Sequence, residues 1–172
     1  MPGFEVIDKT EQKEISTIFK KGGGVLFRQG FENLRNNSFK VDKFEQNFKK
    51  KFNCKYALGV TSGTSALRVA LACKKIGNGD EVITQSFTFV ATVEAIVESG
   101  AKPICTEIDS TLNMCVEDLK KKITKKTKAV IVVHMLGTAA NLSEIKKICK
   151  KNNIILIEDT AWGIGAKYQK SF

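Results

Sequence analysis

The 172 residues are 42% hydrophobic and 27% charged, a balance that suits one compact globular domain. The longest apolar run, residues 129–133, falls far short of the roughly 20 residues that span a bilayer. The opening Met1-Pro2-Gly3-Phe4-Glu5 has no basic stretch leading into an apolar one, so neither a membrane span nor a signal peptide is expected.

Residues 8–20 follow helical spacing and stop at Gly22-Gly23-Gly24. Residues 25–39 have no period and read as an irregular arm. Val41, Phe44, Phe48 and Phe52 predict an amphipathic helix over 41–52. Residues 56–60 read as a short apolar strand, and Thr61-Ser62-Gly63-Thr64 turns into a helix that Gly77-Asn78-Gly79-Asp80 ends. Strand 81–84, helix 88–98, strand 102–107, helix 116–123, strand 129–133, helix 142–151 and strand 154–157 follow. Apolar strands alternating with helices predict an α/β fold of three layers, a mostly parallel sheet covered on both faces. The division expected is a helix and arm over 1–39 and a large domain over 40–172.

In such sheets ligands bind at the carboxyl ends of the strands. Three polar clusters follow strands here and should share that rim: Ser62-Gly63-Thr64, Ser86-Phe87-Thr88-Phe89 and Glu158-Asp159-Thr160-Ala161. The first puts a small residue and hydroxyls at a helix N-terminus, where free N–H groups and the dipole favour an anion such as phosphate. Plain N-capping by Ser62 or Thr64 explains it equally. Asp159 suits a salt bridge to a cationic ring nitrogen, a helix cap or a magnesium ligand. Phe89 is either core filler or a ring that stacks on a planar ligand. His134, the single histidine, follows strand 129–133 and fits a structural role better than an acid–base one.

The net charge of +10 comes almost wholly from lysine. The lysines interrupt amphipathic helical patterns, and only Arg28, Arg35 and Arg68 could make bidentate phosphate contacts, so a solvated helix face is preferred to a nucleic-acid surface. The five cysteines are Cys54, Cys73, Cys105, Cys115 and Cys149, an odd number without CxxC spacing. They argue against a zinc site or disulfide framework and suit a reducing cytoplasm.

Six segments taken together resemble the sugar aminotransferases of the DegT–DnrJ–StrS group, which have the aspartate-aminotransferase (fold type I) fold. They are Thr-Ser-Gly-Thr-Ser-Ala-Leu from Thr61, Gly-Asn-Gly-Asp-Glu-Val-Ile from Gly77, Ser-Phe-Thr-Phe-Val-Ala-Thr from Ser86, Gly-Ala-Lys-Pro from Gly100, Val-Val-His-Met-Leu-Gly from Val132, and Ile-Glu-Asp-Thr-Ala-Trp-Gly-Ile-Gly-Ala from Ile157. The resemblance implies pyridoxal 5'-phosphate (PLP) as cofactor. Gly63 and Thr64 would hold its phosphate, Phe89 would stack on one face of its ring, Ala161 would pack on the other, and Asp159 would pair with the ring nitrogen. It implies transfer of an amino group from an amino acid, glutamate being expected, to a nucleotide-linked keto-sugar, by a cytoplasmic homodimer. Trp162 stands where the family often has Gln or His, and indole only donates. The family's cofactor-binding lysine is expected beyond residue 172, since Lys167 and Lys170 come too early. The chain therefore reads as an incomplete large domain, inactive alone and prone to associate. A PLP-dependent sugar dehydratase of the same group and a non-catalytic regulator or nucleic-acid binder are the competing readings.

Overall fold

A computed structural model of the protein describes residues 4–21, 25, 26, 30 and 32–168. The glycines at 22–24 and residues 27–29 and 31 of the expected arm lie outside them. The chain forms two compact units, Met1–Gly59 and Val60–Phe172.

The first unit carries α1 (Lys9–Lys21) and α2 (Lys40–Phe52), with 3-10 turns at Phe4–Val6 and Glu32–Arg35. Asp8 starts α1 by a reciprocal cap. Its carboxylate accepts the Thr10 N–H at 2.6 Å and its own N–H donates to Glu11 Oε2 at 2.8 Å. On α2 the predicted stripe is a stack of rings, with Phe48 centred 5.9 Å from Phe44 and 4.4 Å from Phe52. Asn53 ends the helix in the left-handed region at φ 49°, which asparagine tolerates. Glu45 on α2 accepts the Gly59 N–H at 2.7 Å, which keeps α2 in contact with the end of this unit. The boundary between the two units follows Gly59, so α2 belongs to the first unit.

The second unit contains α3 (Gly63–Cys73), β1 (Glu81–Gln85), α4 (Val90–Glu98), β2 (Lys102–Thr106), α5 (Val116–Lys122), β3 (Thr127–Val133), α6 (Leu142–Lys151) and β4 (Ile155–Asp159). The strands are all parallel in the order β2-β1-β3-β4. Side chains alternate across the sheet. Val82, Ala129 and Ile131 pack with Leu67, Leu71 and Ile96 of α3 and α4. Ile83, Val130 and Val132 pack with Leu119, Leu142 and Ile145 of α5 and α6. This gives three layers, as expected. From β1 the chain first moves to β2 and then back past β1 to β3 and β4. Right-handed crossovers then require α4 on one face and α5 and α6 on the other, the arrangement seen.

Three details differ from the sequence reading. Residues 56–60 are not a strand: a strand exists by pairing, no described strand pairs with them, and Tyr56 and Leu58 are exposed. The helix after Gly63 ends at Cys73, before the Gly77 turn. Lys75 takes φ 55°, and the Ile76 and Lys75 N–H groups donate to Leu71 O and Ala72 O at 3.1 and 2.9 Å. That is a Schellman end with lysine where glycine is usual, closed by the buried Ile76–Leu71 pair. Finally, β4 runs on through Asp159, so the acidic pair lies within the strand.

The lysines gather in the last turns of α2, α5 and α6, where the helix dipole favours cations. Lys120, Lys122 and Lys147 pair with Glu117, Asp118 and Glu144. Among the described residues no helix is long and apolar enough to cross a membrane, and no group of acidic, histidine and cysteine side chains could hold a metal ion.

Candidate active site

The strand order changes direction between β1 and β3, so the crevice for a ligand lies at the carboxyl ends of those strands. Helix α4 leaves β1 through residues 86–89, which puts its N-terminus on that rim. Helix α3 leads into β1 through residues 74–80, which puts its C-terminus at the opposite edge. Consistent with this, a Cβ built on Gly77 would lie 3.0 Å from Ser99 O, so the C-terminal turns of α3 and α4 meet. Both N-termini therefore point to the rim.

At the start of α3, Ser62 is the cap. Its Oγ accepts the Ser65 N–H at 3.0 Å, and its carbonyl accepts the Ala66 N–H. The cap predicted for Ser62 is thus present. It also leaves the Gly63 and Thr64 N–H groups ahead of the first intrahelical bond, without a helical partner. A Cβ on Gly63 would meet nothing within 4 Å, so open space stands before the backbone there. A side chain would intrude on that space. A phosphate fits these N–H groups and this space.

Alternation separates the two acids of β4. Leu156 belongs to the α5–α6 face and Ile155 and Ile157 to the α3–α4 face. Glu158 therefore points with Leu156, and Asp159 points to the side of α3. Glu158 is held in place: Oε2 lies 3.3 Å from His134 Nε2 and Oε1 lies 3.3 Å from Lys146 Nζ. The His134 hydrogen bond, helped by the Lys146 charge, holds its carboxyl below the usual range despite partial burial. Asp159 accepts only the Ala161 N–H, 3.0 Å from Oδ1, among the described residues, which leaves Oδ2 without a hydrogen bond there. A carboxylate in this state can act both as the local cap and as the partner of a cation.

Phe89 is the N-cap residue of α4 and is 69% exposed, so the core-filler alternative does not describe it. Ala161 lies in the turn after β4, also exposed, and Trp162 beside it is 48% exposed. Topology thus brings Gly63, Thr64, Phe89, Asp159 and Ala161 to one rim. His134, by contrast, is buried at 5% exposure, on Glu158 rather than open to the crevice.

Sequence reasoning missed the residues that lock the rim. Gln85, fully buried at the end of β1, accepts the Val133 N–H at 3.1 Å and donates to Phe87 O at 3.2 Å. Asn113, equally buried, accepts the Met135 N–H at 3.1 Å. Gln85 ties the end of β1 to the end of β3, and Asn113 ties the segment after β2 to the segment after β3. Gly163 is buried, and a Cβ there would lie 3.2 Å from His134 Cβ. Its place in Trp-Gly-Ile-Gly was the one available signal.

The DegT/DnrJ/EryC1/StrS aminotransferase family matches residues 31–171. GDP-perosamine synthase of Vibrio cholerae is 44% identical over 126 residues, 73% of this chain and 34% of the relative. The chain thus spans about a third of the length of that curated relative. Among solved structures, 3-amino-5-hydroxybenzoic acid synthase superposes with a TM-score of 0.85 at 30% identity, over 96% of this chain and 41% of that one. GDP-4-keto-6-deoxymannose-3-dehydratase, solved with a trapped PLP-glutamate geminal diamine, superposes with a TM-score of 0.76 at 27% identity, over 97% of this chain and 42% of that one.

Proposed function

The chain belongs to the DegT/DnrJ/EryC1/StrS aminotransferase family, and from that membership we propose that it forms part of a PLP-dependent sugar aminotransferase. The reaction proposed is transfer of an amino group from an amino acid, glutamate in this reading, to a nucleotide-linked keto-sugar. The observation that carries it is the pairing, on one rim, of an open helix N-terminus at Gly63-Thr64 with a carboxylate at Asp159 on the same side of the sheet. Homodimeric assembly, a cytoplasmic location and residues 40–172 as part of the PLP-binding domain belong to the same proposal.

In this reading the Gly63 and Thr64 N–H groups and the α3 dipole bind the phosphate dianion. Asp159 keeps a proton on the ring nitrogen by placing a fixed negative charge beside it. Phe89 and Ala161 confine the ring between an aromatic face and a small methyl group. When bound, PLP supplies a sink for the electron pair released at the amino acid's α-carbon. The lysine that carries the cofactor is not assigned within this chain, and the 172 residues alone are expected not to turn over.

The likeness to the dehydratase favours one second reading, removal of a sugar hydroxyl instead of amination. A single experiment separates the two. A polypeptide of the relatives' length containing this sequence is given PLP, glutamate and a nucleotide-linked keto-sugar, and the product is identified by mass. An amino-sugar supports the proposal and a deoxy-keto-sugar the alternative. PLP binding is followed by the growth of the visible cofactor band as PLP is titrated in. Absence of any such saturable band would remove both.

A further inference from the structure

We propose that His134 is a positioning residue that sets Asp159 from behind the crevice. The proposal rests on the PLP reading above and adds a residue that touches neither cofactor nor substrate in it.

The imidazole is held at both nitrogens. Nδ1 accepts the Ala140 N–H at 3.2 Å, so in the neutral ring the proton sits on Nε2, which donates to Glu158 Oε2 at 3.3 Å. The main chain of His134 is engaged as well: its N–H donates to Asp159 O at 3.1 Å. Beyond that, Gly163 packs where a Cβ would stand 3.2 Å from His134 Cβ, and its N–H donates to Thr160 O at 2.9 Å. The turn that carries Asp159 and Ala161 therefore rests on His134 at both ends. Its start is held through Asp159 O and, one residue earlier, through the Glu158 side chain. Its end is held through Gly163. Lys146 and the ring share Glu158, which fixes the strand on the α6 side while Asp159 projects to the α3 side.

A histidine that merely filled the core would affect stability alone. A positioning histidine affects PLP binding through Asp159. Three observations decide between them. In the relatives-length protein the His134 ring nitrogens are identified as the NMR signals lost in His134→Gln. They should be those of a neutral imidazole protonated at Nε2, and a ring protonated at Nδ1 would overturn the hydrogen-bond assignment.

Next, PLP affinity is read from titration of the visible cofactor band in the relatives-length protein. His134→Ala should weaken it about tenfold with an unchanged circular dichroism spectrum, the lower end of what loss of a supporting partner costs at a built site. His134→Gln, which can still donate to Glu158 from its Nε2, should recover most of that loss. Should His134→Ala fail to fold, the Gln variant and His134→Asn, which keeps only the Ala140 contact, carry the comparison. Gln binding PLP better than Asn supports the proposal, and equal binding overturns it.

Finally, in an Asp159→Asn background the His134 substitution should add little further loss, because both act through one carboxylate. Losses that multiply independently would overturn the proposal. Wild-type protein that binds no PLP would instead refute the functional reading, while the NMR result would still stand or fall by itself.

Discussion

Gln85→Met should cost the fold about 2–3 kcal/mol, because one buried amide closes the seam between β1 and β3. Gln85 Oε1 takes the Val133 N–H at 3.1 Å, and Nε2 serves Phe87 O at 3.2 Å and Leu112 O at 3.4 Å. The three partners do not weigh equally. Phe87 and Leu112 are 43% and 37% exposed, so water can replace the amide at their carbonyls. Val133 is only 2% exposed, and its N–H would be stranded. An unsatisfied buried donor costs about 1–3 kcal/mol and the lost bond itself about 1, against which methionine is easier to bury than an amide. Urea unfolding followed by circular dichroism measures the difference. Gln85→Glu tests the donor half of the same amide. The carboxylate still accepts from Val133 but cannot donate to Phe87 O unless protonated, so burial raises its folded pKa. Its stability should then fall as pH rises above about 4.3, the unfolded value. A Met variant within about 0.5 kcal/mol of wild type, the usual range for surface changes, would refute the reasoning.

Other consequences can be checked as directly. Asp159→Asn keeps an oxygen for the Ala161 N–H, so the unfolding midpoint should hold, while turnover of the relatives-length protein drops by about 10²-fold or more; wild-type turnover would make Asp159 only a cap. Burial pushes the Cys149 thiol up to about 11. A thiol reagent at about pH 8 should therefore label exposed Cys73 and Cys105 and leave Cys149 until the chain unfolds, as peptide mapping would show. The Lys122 hydrogen bond, with the Glu107 N–H, holds the Asp118 carboxyl below its usual range. That contribution is complete above the unfolded value and is lost as pH falls through the folded one, so below about pH 5 the melting temperature should fall less steeply in Asp118→Asn than in wild type.

The order of the helices and strands from Gly63 onward was legible because each carries its own signal. The β-branched run from Ala129 predicted β3, and the amphipathic pattern over 142–151 predicted α6. What escaped were features defined by partners distant in sequence. Residues 56–60 have the composition of a strand and no neighbour to make them one. Lys75 gives no stop signal, since its left-handed turn is stabilised by the burial of Ile76 against Leu71 rather than by its own type. Gln85 and Asn113 look like surface residues, and only their stranded backbone partners explain their burial.

The acidic pair shows why the site was half legible. In the sequence a salt bridge to a ring nitrogen, a helix cap and a magnesium ligand all stay open for Asp159. Strand geometry separates it from Glu158, because adjacent residues of a strand project to opposite faces. On one face stand His134 and Lys146, which satisfy Glu158. On the other, Asp159 keeps one oxygen without a hydrogen bond among the described residues, on the side where the Gly63 backbone opens to space. A half-buried carboxylate is most stable when its charge is matched: Lys146 and His134 match Glu158, and in the proposed reading the cofactor would match Asp159. A protonated ring nitrogen bound at that rim would complete the match, and the acid that looks redundant in sequence is the one that holds its neighbour in place.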